Sequence, residues 1–98
     1  MTISTHVLDA ARGRPAAGLR VRLEHGGATV ARDVTGPDGR ITGWPSDAAG
    51  VYRLVFDTGE VAPFFPEVVL TFRVTDPGEH HHVPLLLSPF AYSTYRGS

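Results

Sequence analysis

Leu19-Arg20-Val21-Arg22-Leu23-Glu24 is the stretch whose reading decides the fold. Apolar Leu19, Val21 and Leu23 alternate with charged Arg20, Arg22 and Glu24. That period of two marks a strand with one face buried and the other in water. Gly26-Gly27 supplies a turn, and residues 28–34 read as the partner strand across it. The same pattern recurs further along. Tyr52, Leu54 and Phe56 share one face of residues 51–57. Val68, Leu70, Phe72 and Val74 share one face of residues 67–75, with Val69, Thr71, Arg73 and Thr75 on the other. Residues 3–8, 81–87 and 90–95 are further strand candidates. No segment holds a 3.6-residue period over three turns, and eleven Gly and eight Pro cut the chain into short pieces. About seven short strands with turn residues between them predict an all-β chain, a sandwich or a small barrel.

Ninety-eight residues make one domain, 1–98. A chain of this size buries about 60–70% of its unfolded surface, enough for one modest core. A site larger than a surface cleft would have to be shared with a second copy. Nine basic and ten acidic residues leave a net charge of −1, which gives no electrostatic case for nucleic acid or an anionic membrane. There is no cysteine, so disulfide and thiol chemistry are excluded. Met1-Thr2-Ile3-Ser4-Thr5-His6 lacks the basic and apolar regions of a secretory leader, and no apolar run approaches the roughly 18 residues that span a bilayer. A soluble cytoplasmic protein is expected.

Several side chains could carry chemistry, and each also has a plain structural reading. His6 lies in the first strand candidate, on the face of Ser4 and Leu8. Alone, it reads as a strand histidine satisfied by neighbouring backbone. Arg40 follows Gly36-Pro37-Asp38-Gly39, a tight-turn sequence that can hold the next side chain in one direction. It reads either as a solvated arginine or as a planar donor fork for carbonyl and carboxylate oxygens. In His80-His81-His82, a strand places His80 and His82 on one face and His81 on the other. Two histidines two residues apart could ligate zinc with a third ligand from His6 or His25. A general-base histidine is the stronger alternative, because imidazole titrates near neutrality. Asp57-Thr58-Gly59 matches the triplet of retroviral-type aspartic proteases, but a strand-ending turn explains it as well. Pro63-Phe64-Phe65-Pro66 is either a core plug or an exposed contact patch, and the plug is expected.

Thr5-His6-Val7-Leu8-Asp9, Asp38-Gly39-Arg40, Phe65-Pro66-Glu67-Val68, His82-Val83-Pro84-Leu85-Leu86-Leu87-Ser88-Pro89 and Tyr92-Ser93-Thr94-Tyr95-Arg96-Gly97-Ser98 together resemble the 5-hydroxyisourate hydrolases, the transthyretin-related enzymes of urate breakdown. The resemblance runs from Ile3 to Ser98, and the terminal Tyr-Arg-Gly-Ser is its most specific part. It implies a transthyretin-like β-sandwich of two four-stranded sheets. It also implies a homotetramer, a dimer of dimers built through edge strands, with active sites at the dimer–dimer interface. The implied reaction is hydrolysis of 5-hydroxyisourate to 2-oxo-4-hydroxy-4-carboxy-5-ureidoimidazoline, without cofactor or metal. The implied catalytic residues are His6, Arg40, His82 and Ser98, and the substrate-binding residues are Arg40, Tyr95, Arg96, Gly97 and Ser98. Two histidines would activate a water, and the arginines would bind ring carbonyls and stabilise an oxyanion. The alternative is a transthyretin-like binding protein for a small aromatic ligand, which would be expected to lose His6, Arg40 or the terminal Tyr-Arg-Gly-Ser, and all are present. Two departures stand out. Only five residues separate Gly59 from Phe65, where the family carries a longer segment with a short helix, so that helix is expected to be reduced to a turn or lost. His81 stands where the family commonly has an aromatic residue.

Overall fold

In the computed structural model, residues 2–98 are described, and they form ten strands and no helix. The alternating stretch read first is β3, Arg20–His25. It sits in the middle of a four-stranded antiparallel sheet, between β4 (Ala28–Val34) and β6 (Gly50–Asp57), with β7 (Glu67–Val74) beyond β6. Val21, Leu23, Tyr52, Leu54, Phe56, Val68 and Val74 are all buried, so the period-two reading selects the core face on every one of these strands except the thinly covered β4.

The second sheet is organised on β1, Thr2–Asp9. One flank pairs with β5, Arg40–Pro45, and with the two-residue β2, Arg14–Pro15. The other flank pairs in parallel with β8, His81–His82, and β9, Leu85–Leu87, and β9 in turn pairs with β10, Tyr92–Thr94. β8 and β9 are the two halves of the strand expected over residues 81–87. Pro84 has no N–H to give the ladder, so the pairing is interrupted there. β1 is held across the gap by other bonds: the Val83 amide donates to the Ser4 carbonyl at 2.9 Å, and the Thr5 hydroxyl donates to the Val83 carbonyl at 2.6 Å. Taken as one strand, β8 and β9 give the expected four-strand sheet, to which β2 adds two residues. Ile3, Val7, Ile41, Trp44, Leu85 and Leu87 face the other sheet and close the sandwich core.

β5 has no period-two signature in the sequence. Its apolar residues, Ile41 and Trp44, are three apart. The register explains them: Thr5 pairs with Ile41 and Ile3 with Trp44, so Thr42 and Gly43 stand opposite Ser4 alone. This bulge turns both apolar side chains to the core.

Asp57-Thr58-Gly59 ends β6 in a turn. Thr58 is fully buried, its hydroxyl donates to the Phe65 carbonyl, and its own carbonyl accepts from Val61 and Ala62. The triplet is structural, and the segment to Pro66 is a turn without helix, as its shortness predicts. Pro63-Phe64-Phe65-Pro66 does not act as a single plug. Phe65 packs against the core, whereas Phe64 is 66% exposed and meets Phe90 edge-on. With only one residue of the pair able to turn inward from an extended turn, the other is left at the surface.

Candidate active site

Strand pairing assembles the site on the outer face of the second sheet. Successive side chains on β1 point to opposite faces. Ile3, Thr5 and Val7 go to the core, which leaves Ser4 and His6 on the outside. Arg40 pairs with His6 on one flank, and His82 pairs with Ser4 on the other. Three residues more than thirty positions apart in sequence thus share one face within three adjacent strands.

Each of them has a local reason for its direction. The Gly36–Gly39 turn is closed by the Gly39 amide on the Gly36 carbonyl at 2.9 Å. The Asp38 carboxylate accepts from the Arg40 amide at 3.0 Å. Gly39 has φ +77°, and a Cβ there would run into the Val7 carbonyl. Only glycine allows that approach, and the Val7 amide uses it to reach the Gly39 carbonyl at 2.8 Å. The turn therefore delivers Arg40 directly opposite His6.

His80 and His82 lie on the same side, as the alternation predicts, and Ser4 links them. Its hydroxyl is 2.7 Å from His82 Nδ1 and 3.0 Å from His80 Nε2, and His80 Nδ1 lies 2.6 Å from the Thr2 hydroxyl. Burial lowers the pKa of His82 from its ordinary value, and the charges of Arg40, His6 and His80 lower it further. The neutral imidazole is the form this environment favours. His6 Nε2 is buried with no hydrogen-bond partner among the described residues. A polar atom so placed carries a desolvation cost until something bonds to it.

Gly97 completes the cluster. It forms an isolated bridge with His82, its amide donating to the His82 carbonyl at 2.8 Å. Ser98 follows it and is exposed. Tyr95 and Arg96 line a cavity of about 490 Å³ between β7 and the tail, together with His81, Thr71 and Arg73. Arg96 also donates to Glu79 at 2.9 Å. His25 belongs to the other sheet, where it stacks on Tyr52 at 4.1 Å, and is not brought to His80 and His82. Among the described residues no group of three or more His, Cys, Asp or Glu is arranged to hold a metal ion. Ser4 is the functional candidate that residue-by-residue reading passes over. Its signal is its place two residues before His6, on the same face.

Comparison with known proteins agrees with this architecture. The model of the HIUase/Transthyretin family matches residues 3–97. A 5-hydroxyisourate hydrolase of Salmonella dublin is 44% identical over 109 aligned positions, covering 98% of this chain and 80% of the relative. The 5-hydroxyisourate hydrolase 2 of Rhizobium meliloti is 46% identical, covering 98% and 95%. Both alignments are longer than the chain, so these relatives carry insertions relative to it. Among solved structures, Klebsiella pneumoniae 5-hydroxyisourate hydrolase superposes with a TM-score of 0.89 at 37% identity, over 99% of this chain and 98% of its own. Sea bream transthyretin in complex with thyroxine superposes with a TM-score of 0.84 at 30% identity, over 97% and 93%. With its sandwich topology and nearly its whole length matched, the chain belongs to the HIUase/Transthyretin family.

Proposed function

We propose that this chain hydrolyses 5-hydroxyisourate to 2-oxo-4-hydroxy-4-carboxy-5-ureidoimidazoline, a step of urate degradation, with His6, Arg40, His82 and Ser98 as the catalytic set. The observation that carries the reading is the meeting of His6, Arg40 and His82 on one outer face, with His82 biased to its neutral form. The hydrolase relatives support the choice of substrate.

The reaction opens the N1–C6 amide of a flat, oxidised purine ring. Water is a poor nucleophile until a base takes its proton. A neutral imidazole does this near pH 7, and His82 is held in that state. The unpartnered Nε2 of His6 supplies a second nitrogen to orient the water or accept from substrate. As the water adds, negative charge builds on the carbonyl oxygen, and the guanidinium of Arg40 is the nearby cation to stabilise it. Arg96 binds ring carbonyls in plane after leaving Glu79. That exchange is cheap, because both partners are well exposed and such pairs contribute about 0–1 kcal/mol. Tyr95, Gly97 and Ser98 form the rim that carries Arg96. No step calls for a cofactor.

The face bearing these residues is open, with Arg40 exposed. A second pair of subunits laid across it would exclude water and strengthen the electrostatics. The proposal therefore includes a homotetramer: dimers form through the open edges of β7 and β10, and the sites lie where two dimers meet. The cytoplasmic location belongs to the same proposal. The assay is direct. 5-Hydroxyisourate is generated from urate in the cuvette, and its decay is followed with and without protein. Decay faster than the spontaneous rate is expected. Binding of the substrate without faster decay would favour the transthyretin-like carrier instead.

A further inference from the structure

The hydrogen bonds around His82 continue past it. His82 Nδ1, Ser4 Oγ, His80 Nε2, His80 Nδ1 and Thr2 Oγ1 form an unbroken series, with separations of 2.7, 3.0 and 2.6 Å at its three contacts. Ser4 is 3% exposed and His80 is exposed, so the series runs from a buried hydroxyl beside the site to the surface. We propose that Ser4 and His80 are positioning residues that set the tautomer of His82 and relay a proton between it and solvent. The inference rests on the hydrolase reading above.

The argument is one of proton counting. A hydroxyl has a single hydrogen, so Ser4 donates to one imidazole and accepts from the other. Two directions are open. In the first, His82 Nδ1–H donates to Ser4, Ser4 donates to His80 Nε2, and His80 Nδ1–H donates to Thr2. His82 Nε2 then carries a lone pair and is a base. In the second, every bond is reversed: Thr2 donates to His80 Nδ1, His80 Nε2–H donates to Ser4, and Ser4 donates to His82 Nδ1. His82 Nε2 then carries the proton and is an acid.

Taking a proton from water at His82 Nε2 converts the first arrangement into the second. The Nδ1 proton passes to Ser4 as the Ser4 proton passes to His80 Nε2. The His80 Nδ1 proton passes to Thr2 as the Thr2 proton leaves to solvent. One proton enters at the site and one leaves at the surface, and no residue stays charged. This matters because burial first, and then the charge of Arg40, disfavour a lasting imidazolium at His82. Run backwards, the relay returns a proton to the leaving nitrogen.

The test compares the wild type with Ser4→Ala and His80→Gln. Glutamine keeps a hydrogen bond to Ser4 but cannot pass a proton through a ring, so it separates holding from relaying. Imidazole ¹⁵N shifts report the His82 tautomer whether or not the protein is active. Steady-state kinetics and a proton inventory in H2O–D2O mixtures report the relay. Ser4→Ala is expected to mix the His82 tautomers and lower kcat by on the order of 10²-fold, the lower range for a general base, with KM changed less than kcat. His80→Gln, at an exposed position, is expected to lower kcat and to turn a curved wild-type inventory linear. An active wild type whose His80→Gln variant keeps kcat and the curved inventory would overturn the relay. A single His82 tautomer in Ser4→Ala would overturn the positioning role. An inactive wild type would instead sink the hydrolase reading, and the ¹⁵N shifts would still decide whether Ser4 sets the tautomer.

Discussion

Gly97 lies against the ring of His82. Besides the 2.8 Å bond from its amide to the His82 carbonyl, a Cβ built on Gly97 would stand 3.0 Å from His82 Cγ and closer still to Cδ2. The constraint is one of space, and it ties the position of the tail to the position of the imidazole. Gly97→Ala must move one or the other. Misplacing a catalytic group by about 1 Å can cost on the order of 10²-fold in rate. We predict a loss of at least tenfold in kcat/KM, with stability changed by about 1 kcal/mol or less, measured by the hydrolase assay and by thermal melting on the same sample.

Removing the tail itself is a broader test of that tie. Tyr95, Arg96 and Ser98 are not in the core, and Arg96 bonds to exposed Glu79. A chain ending at Thr94 is expected to fold, with far-UV circular dichroism unchanged, and to hydrolyse substrate at a small fraction of the full-length rate. Full activity in the truncated protein would reduce residues 95–98 to surface decoration.

The pH dependence follows from His82. Its folded pKa is lowered by burial first and then by Arg40, His6 and His80. Neutral His82 therefore persists below its ordinary value of about 6.5, and the acid limb of kcat/KM should lie below that pH. The same shift contributes stability that is fully present above about 6.5 and is lost as pH falls through the folded value. Arg40→Gln removes one positive neighbour and should raise the His82 pKa, which an NMR titration of its ring protons reads directly.

Thr58 offers a contrast, where stability moves and chemistry does not. Its buried hydroxyl bonds the Phe65 carbonyl and holds the shortened turn. Thr58→Val leaves that carbonyl unpaired, at a cost of about 1–3 kcal/mol. Denaturant titration should show the lower midpoint, while activity per folded molecule stays at the wild-type level.

Period-two alternation made most of the fold legible, because it reports which face of a strand is buried. It marks Val21, Leu23, Leu54, Phe56 and Val74 as core, and all five are buried. It failed on β5, where a bulge opposite Ser4 sets Ile41 and Trp44 three apart, and on the Val83-Pro84 break, where a missing N–H interrupts the ladder. The directions of His80 and His82 followed from alternation too. The Ser4 hydroxyl between them did not, since strand registers join residues 4 and 82 and no local pattern encodes that pairing. The substrate-binding roles of Tyr95 and Arg96 rest on family resemblance, and in the single chain both residues line a cavity beside His81.

The central claim is that His6, Arg40 and His82 together hydrolyse 5-hydroxyisourate, and one time course tests it most directly. Substrate formed from urate is divided among buffer, wild-type protein and His82→Gln at equal folded concentration, and its absorbance is followed to completion. The account predicts rapid loss with the wild type and loss near the spontaneous rate with His82→Gln. Equal decay in buffer and wild type, or equal acceleration by the wild type and His82→Gln, would contradict it.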